Sequence, residues 1–225
     1  MKNELKETLW QEYLKVLEIP ELQKKNLKEL GPYLLERVPF MYEIYQSFGN
    51  GEKSIEDKKT GIVFEAEDEL YILRKGKNGI FLRREQMKSF LSDMISLFEE
   101  ILPIGSVVEL KKEKLCEYVD TSKIEQFRVI ITKRFVGVGT GCYYPYAAVV
   151  YPIGTAGEGK MISFTPVLID NIVFTGYSDD VEEAFVFQMK YQLIIKQRRK
   201  SVGFATKQEM EKLEKAVHKL EAQHG

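Results

Sequence analysis

The hydrophobic period of this chain changes near residue 61, and that change constrains the fold more than any single motif. Before it, Leu5, Leu9, Tyr13 and Val16 recur at helical spacing, which lines them along one face with Lys and Glu opposite. Pro20 ends or kinks that helix, Glu21 to Leu30 opens a second one, and Gly31-Pro32 punctuates it. Tyr33 to Phe48 is crowded with Phe40, Met41, Tyr42, Ile44 and Tyr45, and the polar stretch from Gly49 to Gly61 reads as a loop. After Gly61 the runs become short, β-branched and aromatic: Ile62 to Phe64, Leu70 to Leu73, and Ile80 to Leu82. Gly76-Lys77-Asn78-Gly79 separates two of them, so the pattern predicts two or three antiparallel strands joined by tight turns.

Helical spacing returns from Arg84 to Ile101, where Met87, Phe90, Leu91, Met94, Ile95 and Phe98 form one broad apolar face. Beyond Leu102-Pro103-Ile104-Gly105, four strand-like runs follow: Ser106 to Leu110, Phe127 to Val138, Tyr146 to Tyr151, and Met161 to Phe174. Pro166 and Asp170-Asn171 are expected to divide the last run. The imperfect alternation of Phe127 to Val138 marks a central or strongly bent strand, with Gly137, Gly139 and Gly141 allowing a turn or bulge. Asp179 at an N-cap, with Glu182 three residues on, starts a helix that ends in Lys196, Arg198, Arg199 and Lys200. Gly203 breaks it. Met210, Leu213, Val217 and Leu220 then make a short terminal seam.

The expected fold is therefore α+β. A helical N-terminal region (1–50) and a β-hairpin with a helix (51–100) precede a small antiparallel sheet or barrel closed by a long C-terminal helix (101–200). A terminal amphipathic helix (201–225) completes the chain.

Composition narrows the chemistry. Lys and Arg number 33 against 34 Asp and Glu, and this balance argues against a nucleic-acid binder. Only 2 His and 2 Cys are present, and His218 and His224 both lie at the tail, which disfavours imidazole-dependent catalysis and clustered zinc ligands. Cys116 and Cys142 form no disulfide framework. No apolar run approaches the roughly 18 residues of a membrane span, and the N-terminus has no apolar leader core, so a cytoplasmic protein without membrane partner is expected.

The match to GxxxxGK at Gly154 to Lys160 is tempting and fails on context. Met161 stands where a magnesium-binding Ser or Thr belongs, and the continuation reads as a strand, not a helix. Two acidic groups could gather a cation: Asp179, Asp180, Glu182 and Glu183, and Glu65, Glu67, Asp68 and Glu69. The first reads as a capped helix start and the second as a solvated turn. No catalytic, cofactor or metal residue is expected. Lys196 to Lys200 reads as a dipole-matched helix end. The tyrosines Tyr143, Tyr144, Tyr146 and Tyr151 are more suggestive, since tyrosine combines contact area with a polar tip. With Phe187, Tyr191 and Ile194 on the outer face of the 179–200 helix, they are the candidate protein-interaction residues.

From Leu102 on, the ordered strings LPIGSVVEL, FRVIIT, Tyr151-Pro152-Ile153-Gly154 and IVFTGYSD, then a helix with Phe185 and Met189, carry a resemblance. They resemble a small bacterial domain of unknown function with an LPxGSVV opening, a YPxG turn and a closing VxFxGYxD, over roughly Ile101 to Lys190. Ile153 departs from the acid that family tends to carry, and Glu113 to Gln126 looks like an insertion. Members are encoded beside type VII secretion genes of Gram-positive bacteria, near LXG-type toxins. The resemblance implies a cytosolic accessory protein whose partner is a cognate toxin or other secreted type VII substrate. A chaperone or targeting factor comes first, an immunity protein second, and a carboxylate-metal enzyme is the alternative from a different class. Homo-dimerisation is left open.

Overall fold

A computed structural model of the chain describes residues 1–114, 126–138, 141–155, 161–213 and 215. Cys116, Gly139, Val217, Leu220, both histidines, most of the expected insertion and positions 156–160 of the GxxxxGK match lie outside the described residues. The chain forms two compact units, Met1–Glu100 with Lys190–Gln197, and Ile101–Met189 with Arg198–Gly225.

In the first unit, α1 (Asn3–Val16), α2 (Glu21–Leu34), α3 (Val38–Asn50) and α4 (Arg84–Phe98) accompany a four-stranded antiparallel sheet. Its strands, β1 (Ser54–Asp57), β2 (Ile62–Glu67), β3 (Leu70–Lys75) and β4 (Asn78–Arg83), lie in chain order. Of the α1 face read from spacing, Leu9 and Tyr13 are buried and Leu5 and Val16 half-buried, with Trp10 and Leu14 buried beside them; on α4, Met87, Phe90, Leu91, Met94, Ile95 and Phe98 are buried as expected.

Three expectations are corrected here. Gly31-Pro32 does not stop α2, which runs through Pro32 to Leu34 because Leu27, Leu30, Gly31 and Leu34 are all buried on one side. The polar stretch expected to be a loop contains β1, whose inward residues are Ile55 and Asp57. Asp57 tolerates the core side because Arg37 Nε and Nη2 donate to its carboxylate at 2.7 and 2.5 Å, and Thr60 Oγ1 donates at 2.6 Å. The tight turn between β3 and β4 is Gly76-Lys77, with Gly76 at φ 58°, and Asn78-Gly79 already belongs to β4.

In the second unit a six-stranded sheet has the order β10-β7-β6-β5-β9, with β8 also paired to β7. The strands are β5 (Val107–Leu110), β6 (Arg128–Val138), β7 (Cys142–Val150), β8 (Ile162–Phe164), β9 (Ile169–Phe174) and β10 (Lys200–Ser201). All pairs are antiparallel except β10 with β7. The sheet is open, so the barrel alternative is excluded; β9 and β10 end its ordered path. Val108, Leu110, Phe127, Val129, Ile131, Tyr146, Ala148 and Phe164 bury together as one cluster, recurring every second residue within each strand as the pleat requires.

The long run read as central or bent is both. β6 lies between β7 and β5, slips register between Ile131 and Lys133, and holds Phe135 at φ 52°. That left-handed backbone is costly for an aromatic residue. Its register position faces Pro145, which has no N–H to give the ladder. Pro166 divides the last strand run as expected, whereas Asp170 and Asn171 sit inside β9. The expected helix over 179–200 is shorter: α5 (Asp180–Lys190) continues as a π-helical turn, Tyr191–Lys196, and Lys200 is already in β10. Residues 207–213 are helical, with Leu213 buried.

Candidate functional site

The sequence-derived interaction residues separate sharply by burial. Tyr143 and Tyr146 are core residues, and Ile194 is buried within the π-helical turn. Tyr146 packs against Phe164 with ring centroids 5.3 Å apart, and its hydroxyl accepts the Leu102 N–H at 2.8 Å. Tyr143 packs against Phe135 at 6.1 Å. Tyr144, Phe187 and Tyr191 are half-buried, and the Lys196 ammonium lies 5.2 Å from the Tyr191 ring centroid. Tyr151 alone of the set is exposed, at a cis Tyr151–Pro152 bond. The reason is topological. β7 pairs with β6 along one edge and with β8 and β10 along the other, so almost every residue along it is buried.

The acidic groups are built into local structure. Asp179 Oδ1 accepts the Glu182 N–H at 2.9 Å and its carbonyl accepts the Glu183 N–H, so Asp179 is the cap the sequence predicts. Glu182 does not reach back to complete a capping box; its carboxylate takes a two-pronged ion pair from Arg134 instead. The Arg134 side chain is only 3% exposed, and its guanidinium carbon lies 5.2 Å from the Phe185 ring centroid. Glu65 is held by Arg74 at 2.8 and 2.9 Å, whose hydrogen bond keeps the carboxyl below the usual range. Asp68 occupies a turn at φ 51°. Among the described residues no group of three His, Cys, Asp or Glu side chains could hold a metal ion.

One buried titratable cluster lies in the first unit. Lys190 Nζ donates to Leu97 O at 2.8 Å and Glu99 O at 2.5 Å, satisfying carbonyls at the C-terminal end of α4. Burial lowers its ammonium to about 7. Burial also pushes the Glu99 carboxyl up to about 7, against the Tyr42 hydroxyl that donates to it at 3.0 Å. This arrangement caps the end of α4.

The exposed surface that composition could not locate is in the second unit. Between Ile172 and Phe185 six large apolar side chains face solvent: Ile172, Val173, Phe174, Tyr177, Val181 and Phe185. Tyr177 and Val181 are 81% and 76% exposed. Ile104 is also exposed, and its backbone lies close to Gly176: a Cβ on Gly176 would come 2.3 Å from Ile104 O, and the Gly176 N–H donates to Ser106 Oγ at 2.9 Å. Val181 and Phe185 lie one turn apart on the same face of α5, and Phe185 leans on Phe135 at 6.5 Å. Several large apolar side chains exposed within one short stretch of chain favour an interaction site. The sequence signal was IVF beside polar Asp170-Asn171, followed by Val181 and Phe185 at helical spacing. It reads equally as core until the edge position of β9 is known.

This surface lies within the part of the chain that also carries a family match. Residues 101–185 match the family described as Domain of unknown function (DUF4176). The matched stretch runs from Ile101 through β5 to β9 and ends at Phe185, so every residue of the exposed apolar surface belongs to it. No curated protein and no solved structure matches the chain. No helix among the described residues is long and apolar enough to cross a membrane.

Proposed function

We propose that this chain is a cytosolic binding protein of a type VII secretion locus that escorts a cognate LXG-type toxin before export. The observation that carries binding is the apolar surface from Ile172 to Phe185, together with Ile104, inside the DUF4176-matched region. The link to secretion rests on the resemblance of the LPIGSVVEL, YPIG and IVFTGYSD strings alone. Of the residues nominated from sequence, Tyr151, Tyr144, Phe187 and Tyr191 keep some accessible surface. They stay candidates for secondary contacts.

Co-expression with the large toxin gene expected beside it, followed by affinity purification, tests the reading. The toxin co-purifies with the natural chain and with Leu22→Asp, a substitution at an exposed position on α2. It is lost with the paired substitution Tyr177→Asp and Val181→Asp. Failure of the natural chain to retain any toxin overturns the escort role, and retention through the toxin's catalytic domain instead of its export domain replaces escort with inhibition.

A further inference from the structure

The helical hairpin at the start of the chain gathers more positive charge than its own ion pairs use. Gln11, Leu14 and Lys15 fall at i, i+3 and i+4 on α1, so they share one helix face. Glu21, Lys24, Lys25 and Lys28 do the same on α2, at i, i+3, i+4 and i+7. The two faces line one cleft of about 390 Å³ in the first unit, outside the family-matched residues. Two of its four lysines already have partners: Lys15 pairs with Glu12 at 2.5 Å and Lys24 with Glu21 at 3.1 Å. Lys25 and Lys28 make no ion pair among the described residues. Lys28 stands four residues from Lys24 and three from Lys25, and like charges at those spacings destabilise a helix. A face placed for stability alone would interleave acids there.

The chemistry of the cleft selects its ligand. Four ammonium groups line it against the carboxylates of Glu12 and Glu21, so positive charge remains after both pairs are counted. Neither pair closes the cleft to an anion: Glu21 is 88% exposed, water screens its attraction to Lys24, and a more highly charged group displaces it. Lys24, Lys25 and Lys28 lie within about 6 Å along the α2 axis, which suits closely spaced negative charges. An acidic peptide spreads its carboxylates over a longer stretch, whereas a phosphate chain concentrates them, and lysine meets phosphate as a point charge. No aromatic ring is among the lining residues, so a nucleobase has nothing to stack on. We propose that the cleft between α1 and α2 binds a short condensed phosphate through Lys24, Lys25 and Lys28, with Lys15 opposite them on α1. The chain of inorganic triphosphate and that of a nucleotide carry the same recognised group. This site is independent of the apolar surface and of the escort role.

The test is isothermal titration calorimetry of the full chain with sodium triphosphate, at low salt and without added divalent metal. Triphosphate is expected to bind at least about ten-fold more tightly than orthophosphate. ATP is expected to bind about as tightly as triphosphate, because its base finds no ring. Lys25→Gln combined with Lys28→Gln weakens triphosphate binding at least about ten-fold. The same variant keeps or raises the thermal midpoint, since like-charge neighbours are removed. Glu21→Gln strengthens binding by freeing Lys24 and removing a competing carboxylate. The charge-matched control, Lys58→Gln combined with Lys77→Gln in two exposed turns of the same unit, leaves it nearly unchanged. Absence of triphosphate binding, or undiminished binding to the Lys25 and Lys28 variant, overturns the proposal. So does an equal loss in the control, which marks diffuse attraction to surface lysines. An oligoglutamate peptide that binds as tightly as triphosphate would make the cleft a peptide site, and ATP binding about ten-fold tighter than triphosphate would put the base in contact; either result refutes the phosphate-chain assignment.

Discussion

Two glycines in the first unit lie in comparable helical settings and have opposite expected responses to a methyl group. A Cβ on Gly31 would sit 2.2 Å from Trp10 Nε1 and 2.7 Å from Cε2, inside the indole ring that packs on the α2 backbone. Gly31→Ala therefore forces α1 and α2 apart at their contact, and a loss of about 2–3 kcal/mol is expected, read as a lower denaturant midpoint. Gly49, near the end of α3, has nothing within 4 Å of its Cβ direction. Gly49→Ala should gain up to about 1 kcal/mol from helix propensity and reduced unfolded-state freedom. In the second unit the Arg134–Glu182 pair gives a further residue-scale expectation. Glu182→Ala leaves a nearly buried guanidinium without its carboxylate, a loss of about 3 kcal/mol or more, whereas Arg134→Met combined with Glu182→Leu recovers much of it. A double-mutant cycle by urea unfolding measures the coupling, and additive single losses would contradict the pairing. Both Gly31 and Arg134 were visible as letters, but neither contact was: an indole against a glycine, and an arginine reaching 48 residues along the chain, have no local signature.

At the scale of the element, the C-terminal end of α4 is held by groups whose protonation opposes their burial. Glu99 carries its proton more tightly in the fold than its ordinary 4.5, at about 7. The stability it contributes is full below about pH 4.5 and is lost as pH rises through about 7. Lys190 has the opposite shift, from 10.5 down to about 7, so its contribution is full at high pH and is lost as pH falls through about 7. The facing groups are Tyr42 and Lys190 on Glu99, and Glu99, Lys6 and Glu100 on Lys190. Together they predict a dip in stability near neutrality, measurable as denaturant midpoints across the pH range. Glu99→Gln should remove the decline on the acid side, and a profile unchanged by that substitution would refute the assignment. β1 titrates elsewhere: hydrogen bonds from Arg37 hold Asp57 down to about 2, so its contribution is present above pH 3.8 and is lost as pH falls through about 2. Element types were mostly legible, because apolar spacing reports which face is buried. β1 was not, since its inward Asp57 is matched by an arginine on another element and breaks the apolar alternation that marks a strand.

At the scale of the whole molecule, each compact unit has its own buried apolar residues, and residues 190–197 belong with the first. Gly31→Ala is therefore expected to speed amide exchange in α1, α2 and the 190–197 turn while amides of β5, β6 and β7 keep their protection. Uniform loss of protection across both sheets would contradict that. The sequence by itself determined the α+β class, most element positions, the Asp179 cap and the poverty of histidine and cysteine, because these follow from local spacing and composition. Only the tertiary structure decided which aromatic residues face water. Tyr143 and Tyr146 are enclosed because β7 is paired along both edges, while Phe174 is open on β9, which among the described residues pairs only with β5, and Tyr177 and Val181 are open beyond it, in the following loop and on α5. Apolar letters state that burial is favourable; strand order and the pairing of distant segments determine which of them obtain it.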